Sequence, residues 1–302
     1  MKIEKYAAID IGSNAIRVLI ANIVIPSSDR PVQFQKNALV RVPIRLGEDS
    51  FSVGEISKKN IKRMLRAMKA FKQIMKVHGV TRFRAYATSA LREATNGEDV
   101  VAIIKKETGV KIEIIDGKKE ASVISNTQIF DKFTTQKTVL YVDVGGGSTE
   151  LSLLKNGERI HSRSFKLGTV RLLNKTVEDR IWDEIQKWIT KKTAHINKIT
   201  VLGSGGNINK LFKLTNTKEG KPLSLVTLNS IYARLQELSY EDRILEYQLN
   251  LDRADVILPA TEIYLRTLQW AGASRIYVPK IGLADGMIKE MYYDLQKKIN
   301  HE

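Results

Sequence analysis

The sequence predicts an α/β protein built from two similar halves, and three observations carry that expectation. Strand-length apolar stretches alternate with helix-length amphipathic stretches along the chain. One hairpin pattern occurs twice, as "AAIDIGSNAIRVLIANI" from Ala7 and as "YVDVGGGSTELSLL" from Tyr141. Superposing Asp10 on Asp143 sets Gly12 on Gly145, Arg17 on Glu150 and Leu19 on Ser152 without a gap, a duplication signal. The 302 residues suffice for two domains with proper cores.

In chain order, the first strand ends at Asp10, turns through small residues at Gly12 and continues into a second strand. The segment "SKKNIKRMLRAMKAFKQIMKVHG" predicts a helix, because Ile61, Leu65, Met68, Phe71 and Met75 recur at helical spacing. Around that stripe stand Lys58, Lys59, Lys62, Arg63, Arg66, Lys69, Lys72 and Lys76. "RFRAYATSALREA" reads as a strand running into a loop at Thr88 and Ser89. "GEDVVAIIKKETG" follows as a helix ended by Gly109, and "KIEIID" as a strand. A helix opens after Gly117 and carries "KKEASVISNTQIF". The domain boundary is expected near residue 126, dividing 1–126 from 127–302, with no low-complexity linker and hence a hinge between packed domains. The second half repeats the grammar: two strands around the glycine turn, the extended "RIHSRSFKLG", a helix through "VEDRIWDEIQKWITKKTAH", the strand "KITVLG", then helices onward to "IYVPKIGLADGMIKEMYYDLQKK". The last helix is free to pack back on the first domain.

Composition narrows the setting. With no cysteine, neither a disulfide nor a thiolate nucleophile is available, which suits a reducing cytoplasm. No apolar run approaches the roughly 20 residues of a membrane span, so a soluble, cytoplasmic, untargeted protein is expected. The net charge of +16 points to polyanionic partners. Most of the excess lies early: residues 1–126 carry 23 Lys+Arg against 13 Asp+Glu, and the remainder 26 against 20. Aromatic residues are 7% and do not interleave with the basic run, which argues against specific recognition of nucleic acid. The basic helix reads either as a solvated face over a core stripe or as a polyanion-attracting surface. An isolated glycine triplet is equally a structural turn; two Asp-x-Gly turns favour an anion cradle, in which bare backbone amides approach phosphate oxygens.

The motifs "AAIDIGSNAIRVLI", "ATSALREATN", "IIDGKKEA", "YVDVGGGSTELSLL", "KLGTVRL", "VLGSGGNINKL" and "RADVILPATEIYL", in this order and at this spacing, resemble the exopolyphosphatase / guanosine pentaphosphate phosphohydrolase family of the actin, sugar kinase and Hsp70 superfamily. The resemblance implies two actin-like (ribonuclease H-like) domains with mixed sheets and an interdomain cleft. The family's longer members continue into an HD-type metal-binding domain. His78, His161, His195 and His301 have no metal-ligand spacing, so that domain is expected to be absent here.

Phosphoanhydride hydrolysis needs the terminal phosphate in line with a water, its charge neutralised and a base at that water. The resemblance puts Glu120 at the family's catalytic carboxylate, before the Ala of its Glu-Glu-Ala motif. A surface Glu opening a helix is the alternative. Lys119 replaces the family's other Glu, which either removes a water- or metal-positioning group or adds an attraction for phosphate. Arg92, the second catalytic candidate, and Arg171 match phosphate clamps, with a structural ion pair as the alternative for each. Gly12, Ser13 and Asn14 of one domain are expected to face Gly145, Gly146, Gly147 and Ser148 of the other. Gly205, in "GSGGN", either holds polymer phosphate or packs a helix closely. Asp143 and Glu150 match the family's divalent-metal carboxylates, with Asp10 reaching the ion through water. Hard oxygen donors and a phosphate substrate favour Mg²⁺. The expected activity is exopolyphosphatase, with guanosine pentaphosphate hydrolysis next, then an ATP-dependent phosphotransferase or a non-catalytic polyphosphate sensor. No membrane partner is expected, and a homodimer is admitted.

Overall fold

The computed structural model describes residues 1–125 and 138–299. These form two compact units, one of 1–125 with 282–299 and one of 138–281. The expected continuation of a helix to Phe130, and the expected boundary at 126, lie outside the described residues.

In the first unit β1 (Lys2–Ile11), β2 (Ile16–Ile25) and β3 (Gln33–Val42) form an antiparallel meander, with β4 (Arg82–Ala87) and β5 (Ile112–Ile114) added parallel to β1. The order is β3-β2-β1-β4-β5. Central β1 is buried without interruption from Tyr6 to Ile11, as a strand covered on both faces must be. Edge strand β3, which sequence patterning left unassigned, keeps its polar residues toward solvent.

The helices of this unit are α1 (Leu46–Ser52), α2 (Lys58–Val77), α3 (Ser89–Glu93), α4 (Gly97–Thr108) and α5 (Gly117–Ser125). Ser89, expected in a loop, instead opens α3. Ser57 caps α2 by accepting from the Asn60 amide at 3.3 Å. The buried face of α2 is Met64, Ala67, Met68, Phe71 and Met75, while Ile61 and Leu65 are half-buried, so the core stripe turns toward Met64. Two of its cations are anchored: Arg63 donates to the carbonyls of Pro43 (2.6 Å) and Ile44 (3.0 Å), and Lys72 to that of Thr108 (2.7 Å). Thr108 ends α4, whose C-cap Gly109 has φ 72°.

In the second unit β6 (Thr138–Val144), β7 (Thr149–Lys155) and β8 (Glu158–Phe165) repeat the meander. Strand β9 (Ile199–Ser204) runs parallel to β6 and β11 (Arg275–Tyr277) parallel to β9, with β10 (Leu223–Ser224) on the edge. The run β8-β7-β6-β9-β11 therefore has the order and directions of β3-β2-β1-β4-β5, and the duplication extends from the hairpin to the whole sheet. Both sheets are mixed. Strands β10 and β11 fall where the sequence pattern suggested only helices; at two and three residues they are too short to show a period.

Around the second sheet lie α6 (Thr169–Leu173), α7 (Asp179–Thr193), α8 (Gly206–Leu214), α9 (Leu225–Glu237), α10 (Tyr240–Tyr247), α11 (Leu251–Ala254) and α12 (Ile257–Trp270). The last helix, α13 (Leu283–Ile299), packs in the first unit on β1, β4 and α5. Each unit has its own apolar core, one centred on Ile9, Val18, Met68 and Phe71, the other on Val142, Leu151, Leu211 and Tyr264. Among the described residues no helix is long and apolar enough to cross a membrane.

Candidate active site

The β1–β2 hairpin places Asp10 opposite Arg17, and the two form an ion pair at 3.2 Å. The Gly12 amide closes the turn by donating to the Ala15 carbonyl at 3.1 Å. Burial pushes the Asp10 carboxyl above the usual carboxylate range, and the Arg17 charge opposes that rise. Asp10, expected to reach a metal through water, is thus held by a cation of its own hairpin. The Ser13 hydroxyl, expected to donate to phosphate, meets the Ser89 hydroxyl at 2.9 Å, both buried. The carbonyls of Ser13 and Asn14 accept from the amides of Gly47 (2.8 Å) and Arg45 (3.1 Å), so α1 fastens the turn from the other side.

Helix α3 links this turn to the segment that carries Glu120. Ser89, at its start, meets Ser13; one turn on, Arg92 Nη1 donates to the Ile115 carbonyl at 2.7 Å. The guanidinium expected to clamp phosphate thus has at least one nitrogen committed to the chain just before α5. Asp116 then caps α5, its carboxylate accepting from the Lys119 amide at 2.7 Å, and the Glu120 amide donates to the Asp116 carbonyl at 2.9 Å. Glu120 is buried in the first turn, where a helix N-terminus favours a negative charge. The Lys119 ammonium, which takes the place of the family's other Glu, is paired with Glu290 on α13.

The β6–β7 hairpin is closed in the same way, Gly145 N donating to Ser148 O at 2.9 Å, but here Asp143 stands opposite a second acid, Glu150. Around this turn the "LGTVRL" segment is locked in place. The amides of Thr169 and Val170 donate to the carbonyls of Gly145 (3.0 Å) and Gly146 (2.9 Å), and Thr149 Oγ1 donates to the Leu167 carbonyl at 2.6 Å. Gly168 lies so close that a Cβ would sit 2.3 Å from the Gly146 oxygen. Buried Arg171 donates through Nε to the Gly147 carbonyl at 2.6 Å, so this candidate clamp holds the turn's backbone. The amides of Gly146 and Gly147 donate to no described residue, as an anion cradle requires.

Beside the carboxylates, Gly205 adopts φ 118°, and a side chain there would meet Val144 O at 2.9 Å and Asp143 Oδ1 at 3.5 Å. The positive φ and the close approach of the Val144 carbonyl call for a glycine here. The preceding Ser204 accepts from two buried tyrosines, Tyr141 at its hydroxyl and Tyr264 at its carbonyl. Burial first, and then the Asp143 charge, holds both phenols well above their ordinary pKa, so they act as neutral donors. Ser164 donates to Glu150 Oε1 at 2.9 Å.

Among the described residues no group of three or more acids and histidines is gathered as a metal cluster. Two hard carboxylates side by side nonetheless suit Mg²⁺, which takes one or two carboxylates and completes its shell with water and substrate phosphate. Like charges directly opposed in a hairpin are unfavourable alone, so the donor set fits a cation.

Ser89, Gly168, Ser204, Tyr141, Tyr264 and Glu290 were not singled out by sequence reasoning. A polar hydroxyl in the apolar run around Tyr141, and Ser204 at the end of a strand, were available signals. Glu290 lies 171 residues from its partner and gave none.

The sequence matches the Ppx/GppA phosphatase family over residues 30–294. It is 24% identical to exopolyphosphatase 1 of Mycobacterium tuberculosis, across 94% of this chain and 87% of that protein. It is 25% identical to guanosine-5'-triphosphate,3'-diphosphate pyrophosphatase of Photobacterium profundum, across 98% of this chain and 60% of that protein. Among solved structures, a Ppx/GppA family member of Aquifex aeolicus superposes with a TM-score of 0.75 at 25% identity, covering 97% of this chain and 99% of that one.

Proposed function

The chain belongs to the Ppx/GppA phosphatase family, and from that premise we propose that it is an exopolyphosphatase, which removes terminal phosphate from inorganic polyphosphate with water as the acceptor. The observation that carries this reading is the buried carboxylate of Glu120 in the first turn of α5, a general base for water, worth about 10²- to 10⁴-fold in rate. The Gly12 and Gly145 amides close the two turns, and the hairpins present the backbone of Ser13 and Asn14 in one and of Gly146, Gly147 and Ser148 in the other to phosphate oxygens. Arg92 and Arg171 fix the backbone at these elements and lend positive charge. Asp143 and Glu150 would hold Mg²⁺, which neutralises phosphate charge when bound. Asp10, tied to Arg17, serves to order its hairpin.

The second substrate reading, guanosine pentaphosphate, draws on the Photobacterium relative, of which the chain spans only about three fifths. The exopolyphosphatase is matched over 87% of its length, which favours polyphosphate. A non-catalytic sensor, which would draw on Lys119 and the basic face of α2, is separated from the hydrolase by whether the purified protein releases phosphate.

Phosphate release measured side by side on long polyphosphate, guanosine pentaphosphate and ATP, without an organic acceptor, tests the proposal. Fastest release from polyphosphate is expected. Faster release from guanosine pentaphosphate would reassign the substrate, and no release from any of the three would overturn the hydrolase.

A further inference from the structure

One carboxylate in the first unit joins three elements. Glu290, on α13, bonds through Oε1 to the Lys119 ammonium on α5. Through Oε2 it accepts from Arg84 Nη1 (2.6 Å) and the Tyr86 hydroxyl (2.7 Å), both on β4. Arg84 and Tyr86 are two apart and so share a face of the strand. Arg84 Nη2 reaches Asp294, one turn further along α13, at 3.1 Å. Burial acts to raise the Glu290 pKa, but the bonds from Lys119 and Tyr86 and the charges of Lys119 and Arg84 outweigh it, so the group stays ionised.

The contact has a second rung. Gly286 precedes Glu290 by four residues, and a Cβ there would lie 2.2 Å from the Val123 carbonyl, four residues after Lys119. Residues four apart share a helix face, so Lys119 and Val123 of α5 meet Glu290 and Gly286 of α13 in antiparallel order. Consecutive helical residues point about 100° apart. Pinning Lys119 therefore sets the rotational phase of α5, and with it the direction of Glu120.

We infer that Glu290 is a positioning residue for the reaction: acting through Lys119, it fixes the helix that carries the general base. The inference rests on the hydrolase reading above. It also ascribes a role to the last helix, which contributes no residue to the glycine hairpins and yet governs how one functional side chain is aimed. A carboxylate shared by a strand and two helices is suited to this, since α5 cannot roll without breaking a charge-assisted bond.

Steady-state kinetics on polyphosphate for Glu290→Gln, Lys119→Ala, the double variant and Lys119→Arg test it, with thermal unfolding recorded on each. Both single variants are expected to lower kcat about 10-fold with KM changed less than about 2-fold, and the double variant to lose no more than the worse single one. Lys119→Arg, which keeps charge and reach, is expected to restore kcat. Unchanged kcat in the singles, or losses that multiply in the double, would overturn the inference. A wild-type protein that releases no phosphate would overturn the hydrolase instead. In that case the melting temperatures still read the brace, and additive losses for Lys119 and Glu290 would count against it.

Discussion

Asp143 lies directly opposite Glu150 across the β6–β7 hairpin, in the register that sets Asp10 opposite Arg17 in the first unit. In one copy of the duplicated hairpin the acid faces a cation, and in the other it faces a second acid. Like charges directly opposite one another across a hairpin repel, and a divalent cation between them relieves that repulsion. Glu150→Gln keeps an acceptor for Ser164 while removing one charge. Without divalent ions this variant is expected to melt at or above the wild-type temperature. Added Mg²⁺ is expected to stabilise the wild type more than the variant, as linkage requires of an ion bound by the native state. Equal Mg²⁺ responses would return Glu150 to an ordinary strand position.

For the first hairpin the sign of the pH dependence follows from Asp10. Its pKa is raised by burial, with Arg17 opposing, so its contribution is full below the ordinary value of about 3.9 and is lost as pH rises through the elevated one. Arg17→Ala leaves burial unopposed. Its cost is expected to be on the order of 2 kcal/mol at neutral pH, where an unpaired buried carboxylate results, and smaller at acid pH. Urea unfolding at both conditions reads the difference, and an equal cost would contradict the pairing.

Gly168 is a matter of space, because its φ of −140° is open to any residue while its Cα rests on the Gly146–Gly147 backbone. Gly168→Ala is expected to cost about 1–3 kcal/mol and to deform the second turn. Gly282→Ala, where a Cβ would meet nothing, is the control. Chemical denaturation of the pair checks this, and indistinguishable stabilities would refute the lock on the turn.

The exposed lysines of α2 offer a remote attraction for long polymers. With Lys72 committed to the α4 C-terminus, Lys62 and Lys69 are the informative pair. Replacing both by Gln is expected to raise KM for long polyphosphate, to leave tripolyphosphate nearly untouched, and to matter less at high salt, because exposed charges are screened over about 8 Å at physiological ionic strength. Equal losses on both substrates would make the helix structural or part of the site. No loss on either would make its charge a solvated face.

Much of this was legible in the sequence, for physical reasons that differ by residue. The duplicated hairpin could be aligned because strand register and a glycine turn leave a short, gapless pattern, and Asp10 with Arg17 and Asp143 with Glu150 hold equivalent register positions, as that alignment implied. The α2 stripe was recovered because helical period survives in apolar residues, though its centre lies nearer Met64 than Ile61 and Leu65 suggested. What escaped was tertiary. Arg92 and Arg171 each read as a clamp or as a structural cation, and only their carbonyl partners Ile115 and Gly147 show how each is anchored. Lys119 could not disclose Glu290, because the last helix reaches it through topology and not through any local pattern.

The most direct test of the general-base role is single-turnover phosphate release from long polyphosphate by the wild type and by Glu120→Gln, with substrate binding measured in parallel. The amide keeps the shape of the side chain and cannot accept water's proton, so binding is expected to stay near wild type while the rate falls about 10²- to 10⁴-fold. Near-wild-type turnover in the Gln variant would contradict the assignment of Glu120.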